Sequence, residues 1–148
     1  MAIQTEKEFK AALAALPLAH QRQIAAVFVQ RVLDLSHDVR VKNALTAAAR
    51  ADITPEELAL AAHLAHSAQV ASYAQCGHDS NWECAAGHFV ARAAECSVRA
   101  ASEGDPVAWE AAMQARLART CQMVAQGEGT DNDESAAQHQ ILETFLQS

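Results

Sequence analysis

The side chains with the most chemistry to offer crowd into one part of this chain. Between Ala59 and Cys96 lie four of its seven histidines and three of its four cysteines. Cys84 and His88 stand four residues apart, a spacing that stacks two side chains on one helical face. A thiol so placed can pass its proton to the imidazole, and the thiolate that results is a nucleophile. Ser80 and Glu83 have capping-box spacing, which predicts a helix starting just ahead of Cys84. The sulfur then sits in a first turn, where free backbone amides favour negative charge. Cys76 and His78 precede this pair. Thiolate sulfur and imidazole nitrogen are the usual donors to zinc, so Cys76, His78, Cys84 and His88 form a candidate metal set. His63 and His66, three residues apart, join Tyr73 and Arg92 as candidates for a ligand-binding surface.

The elements that must position these groups read as helices. The chain holds 35 alanines against five glycines and three prolines, and alanine has the best helix propensity of all residues. Thr5 with Glu8 and Thr54 with Glu57 are two further capping boxes, the second followed by Pro55 at the first helical position. Pro17, Ser36–His37, Cys76–Gly77 and Gly104–Pro106 punctuate the rest. The pattern predicts helices over about 6–16, 18–35, 38–50, 55–75, 81–102, 107–126 and 134–146. The segment 127–134, GEGTDNDE, is an acidic linker. The expectation is one all-α domain over 1–148, an antiparallel bundle of six to seven helices. The run from Leu58 to His78 contains no Asp, Glu, Lys or Arg, which predicts that the helix over 55–75 is the buried central one. Stability is expected to rest on Phe9, Phe28, Trp82, Phe89, Trp109 and Phe145, and the sixth helix is expected to bury Trp109, Met113, Leu117 and Val124.

The octapeptide NWECAAGH resembles an element of the alkyl-hydroperoxidase-D and carboxymuconolactone-decarboxylase superfamily. Members of that superfamily are all-helical. One of their helices begins with two cysteines separated by two residues, with a histidine four residues after the second. Cys84 stands at the second cysteine and His88 at the histidine, while Asn81 occupies the place of the first. The resemblance implies a thiol enzyme built on Cys84 and His88. The departure at Asn81 removes the resolving thiol from the motif, leaving a dithiol mechanism without its second sulfur.

Charge and motif content narrow the function classes. A formal charge of −7 opposes binding to nucleic acid and to anionic membranes, since both carry the same sign. HExxH, CxxCH and the glycine-rich phosphate loops are absent, and no Glu lies three residues before a His as a di-iron bundle requires. Four irregularly spaced cysteines without a secretion signal are expected to be reduced thiols in the cytoplasm. Asp34 with His37 reads as a helix end, and Cys121 as core. The preferred expectation is a non-catalytic binding protein, using a polar groove between the helices at 55–75 and 81–102 for a protein or small-molecule partner. A zinc-binding module and a Cys84–His88 thiol enzyme are the alternatives. A homodimer through alanine-rich faces is a further expectation.

Overall fold

A computed structural model of the chain describes residues 2–76, 81–100 and 104–148. Among these residues there are seven α-helices and no strands: α1 (Glu6–Ala14), α2 (Leu18–Gln30), α3 (Val39–Ala49), α4 (Pro55–Cys76), α5 (Trp82–Val98), α6 (Val107–Ala125) and α7 (Glu134–Gln147). The all-α bundle expected from composition is the fold observed. Its punctuation follows local chemistry. The Thr5 hydroxyl accepts from the Glu8 amide, and Thr54 and Glu57 satisfy each other's amides reciprocally at 3.1 and 3.2 Å. At the end of α6, Gly127 adopts φ +71°. The Glu128 amide then reaches the Met123 carbonyl and the Gly127 amide the Val124 carbonyl, a Schellman stop that only glycine enters cheaply.

The centre of the bundle is the α5–α6 pair rather than α4. Both helices bury small residues: Ala91, Ala94 and Val98 on α5, and Ala108, Ala111, Ala112, Ala115 and Ala118 on α6. Short side chains let two helix axes approach closely, so alanine-lined faces were chosen over bulky ones at the most intimate interface. The expected core face of α6 is therefore corrected. Leu117 is 43% exposed, while Trp109 and Met113 pack only partly against the core. Phe9 and Phe28 carry the large-residue burial, each fully enclosed and contributing about 2–3 kcal/mol. Trp82, also expected to carry stability, stands 47% exposed.

Helix α4 buries only Ala61, Ala65 and Ala68, one narrow i, i+4, i+7 stripe, and leaves Leu60, Val70 and Tyr73 at 59%, 50% and 71% exposure. The expectation of a buried central helix over 55–75 is overturned. Freedom from charge does not enclose a helix: Ala, Ser, Gln and His lose little by facing water.

Helix α7 is fastened by a buried carboxylate. Glu134 has no exposed surface and accepts from Arg31 Nε at 2.8 Å and Arg119 Nε at 3.1 Å. One turn further, Gln138 receives Arg116 Nε and donates to the Ala112 carbonyl.

Candidate functional site

Helices α4 and α5 fold back on each other as an antiparallel hairpin, and three side-chain pairs mark its register. His66 Nδ1 lies 3.1 Å from a Glu95 carboxylate oxygen, Ser72 Oγ lies 2.9 Å from His88 Nδ1, and Cys76 is joined to Cys84 by a disulfide with Cα atoms 5.6 Å apart. Pair by pair, the position rises on α4 as it falls on α5. That geometry brings a cysteine at the end of one helix against the first turn of the next, within ordinary disulfide reach. The expectation of four reduced thiols is corrected for this pair. Eight residues apart in sequence, they are neighbours because the chain reverses between them.

The start of α5 is one residue later than the capping box predicted. Asn81 is the N-cap, and its side-chain oxygen accepts from the Cys84 amide at 3.1 Å. Cys84 is thus the third residue of the helix. Asn81 fixes the turn that holds the sulfur. Ser80 lies outside the described residues.

Beside the disulfide opens a cleft of about 760 Å³, whose walls come from α4, α5, the end of α6 and the chain between α2 and α3. Helix α2 ends at Gln30, not near Leu35 as predicted, and continues as a single 3-10 turn over Leu33–Leu35. Two tertiary contacts explain the break. The Arg31 carbonyl, released from the helix, accepts from Arg119 Nη2 at 3.0 Å. The 3-10 turn then presses on α5 at Gly87, where a Cβ would come within 3.0 Å of the Leu35 carbonyl oxygen. Glycine inside an alanine-rich helix costs about 1 kcal/mol, and here it admits the neighbouring backbone. The bend carries Asp34, His37 and Asp38 to the cleft, which Cys84, His88 and Glu83 also line.

The protonation of His88 follows from its partners. The Ser72 hydroxyl donates to the Gln69 carbonyl at 2.9 Å and so can only accept from His88. Nδ1 therefore carries the proton, and Nε2 is left as the basic nitrogen. Burial lowers the pKa of His88 below 6.5, and the nearby Arg92 guanidinium lowers it further, so the ring is neutral at neutral pH. The remaining thiols are inert by the same physics. Burial raises Cys96 to about 11 and also raises Cys121, which is core as expected. Asp38 is held below the usual carboxylate range chiefly by its hydrogen bond to Arg40, 2.7 Å away. No Lys or Arg lines the cleft, and Asp34 and Glu83 have no ion-pair partner among the described residues.

Of the residues singled out from sequence, Cys84 and His88 line the cleft and Cys76 is bonded to its rim. His63 is exposed on the outer side of α4, and His66 is engaged by Glu95. Tyr73 places its ring 5.7 Å from His88 yet projects into solvent, and Arg92 lies over the Phe89 ring. None of these four lines the cleft. The α4–α5 seam is closed by the pairs that mark its register, and the opening lies at its end. His78 is outside the described residues. Among the described ones, no group of three or more His, Cys, Asp or Glu is placed to hold a metal. The zinc set needs two thiolates, and a disulfide provides neither, so it is open only to the reduced protein. No described helix is long and apolar enough to cross a membrane. Asp34, His37, Ser72 and Gln75 were missed as site residues. Gly87, the only glycine within a predicted helix, was the available signal, since such a glycine marks close backbone approach. Comparison with family models, curated proteins and solved structures returns no match.

Proposed function

We propose that this protein is a thiol–disulfide redox protein that cycles Cys76 and Cys84 between dithiol and disulfide. The observation that carries this reading is the bond between two helices at the mouth of a cleft that Cys84 and His88 both line. Cys84 has the features of the attacking sulfur: a place in the first turn of α5, which favours a thiolate, and a neutral imidazole one turn away. Cys76 supplies from α4 the second sulfur that Asn81 leaves out of the motif.

In the reaction the Cys84 thiolate attacks one sulfur of a substrate disulfide RS–SR. That bond breaks, one RS⁻ departs and takes a proton, and a mixed disulfide remains on Cys84. Cys76 loses its proton and attacks the Cys84 sulfur, closing the protein disulfide and releasing the second thiol. Two electrons pass from protein to substrate, and the reverse sequence oxidises two thiols. This reading is preferred to a purely non-catalytic groove because the expected groove residues His63, His66 and Arg92 do not converge, whereas the two sulfurs do.

Reduced protein mixed with 2-hydroxyethyl disulfide tests it, with free thiols counted over time and adducts weighed by mass spectrometry. The wild type should lose two of its four thiols, with Cys96 and Cys121 left. Cys76→Ser should stall as a mixed disulfide on Cys84, and Cys84→Ser should react slowly. A Cys84 that reacts no faster than a cysteine in an unfolded peptide would overturn the proposal.

A further inference from the structure

The electrostatics of the cleft point to a class of substrate, and this inference rests on the redox reading above. We infer that the cleft takes positively charged or neutral disulfides and thiols and disfavours anionic ones. Among the described residues three carboxylates line it, those of Asp34, Asp38 and Glu83, and no Lys or Arg does. Arg40 neutralises Asp38 at 2.7 Å. Asp34, from the bend after α2, and Glu83, beside Cys84 in the first turn of α5, have no ion-pair partner among the described residues and leave negative charge on two of the elements that wall the cleft. His88 stands one turn from Cys84 on α5, and burial and the Arg92 guanidinium lower its pKa, so at neutral pH it adds no positive charge for an anion to meet. Arg92 lies outside the lining, over the Phe89 ring. The whole chain carries −7, so the far field has the same sign as the cleft. A substrate disulfide that reaches Cys84 through this cleft brings its second half to a lining that carries these carboxylates. An ammonium there is attracted and a carboxylate repelled, both in the encounter and in the mixed disulfide.

The experiment compares three small disulfides of similar size: cystamine, a dication; 2-hydroxyethyl disulfide, neutral; and 3,3′-dithiodipropionate, a dianion. Each is reacted with reduced wild-type protein, and each rate is divided by the rate of the same reagent with free dithiothreitol to remove intrinsic reactivity. Cystamine should exceed the dianion by roughly ten-fold or more at low ionic strength. The ratio should shrink in about 0.5 M salt, where the Debye length falls to roughly 4 Å. The double substitution Asp34→Asn with Glu83→Gln should also lower the cation-to-anion ratio. If the neutral reagent reacts quickly but the charge series is flat or inverted, the substrate class is wrong and the redox reading stands. If the neutral reagent reacts no faster than with an unfolded peptide, both fall together.

Discussion

At the scale of single residues, the site depends on one imidazole held in one tautomer. Ser72 and the Gln69 carbonyl place the proton on Nδ1 of His88, and partial burial keeps the ring neutral. The pH consequence has a definite sign. The pKa of His88 in the folded state lies below 6.5, so on acidification the unfolded chain takes up this proton before the folded one does. Stability is therefore complete above about pH 6.5 and declines as pH falls towards the depressed folded value. Denaturant midpoints followed downward from neutral pH should fall less steeply in His88→Asn than in the wild type. Equal slopes would mean that the ring is not desolvated. Cys84 and His88 were legible as a pair because i, i+4 spacing is a property of any helix. Ser72 was not, since nothing local ties it to a ring sixteen residues away.

The elements contribute through where they stop. Helix α2 yields to a 3-10 turn because Arg119 captures the freed Arg31 carbonyl and Gly87 leaves room for the Leu35 carbonyl. The apolar spacing of Ile24, Phe28, Val32 and Leu35 by itself predicts a helix running through this point. Tertiary contacts cut it short and turned Asp34 and His37, which read as a helix end, into a cleft wall. The contact at Gly87 makes a test of this arrangement. Gly87→Ala gains about 1 kcal/mol of helix propensity but drives a methyl against backbone oxygen, which cannot rotate away. A net loss of about 1 kcal/mol by chemical denaturation is expected, with altered reactivity of the reduced Cys84 as the wall shifts. A stabilised variant with unchanged reactivity would show that the turn gives way freely.

Across the whole molecule, long-range polar ties fix helices whose alanine faces offer little shape to lock on to. Glu134 is the chief one, wholly buried and shared by Arg31 of the α2 end and Arg119 of α6. Both arginines are partly exposed and can rehydrate, so Glu134→Ala loses mainly the tie itself and the fit of α7. A cost of about 3 kcal/mol is expected, at the lower end for breaking a buried ion pair. Because Arg119 also holds the bend after α2, the same variant should loosen the cleft, read as faster exchange of the amides around Leu35. A loss below about 1 kcal/mol would place this pair with ordinary surface ion pairs.

The amino-acid sequence by itself determined the helical class, the helix starts at Thr5 and Thr54, and the one-turn pairing of Cys84 with His88. Each of these depends on propensity, capping or period, which act over a handful of neighbouring residues. Only the tertiary structure decided that α4 lies at the edge with α5 and α6 at the centre, since alanine spacing does not say which small face meets which. It also decided that Cys76 is the partner of Cys84 and that the α2–α3 bend walls the cleft. Those facts depend on how a chain reverses and which carbonyl meets which arginine, and such contacts between distant residues leave no periodic trace along the chain.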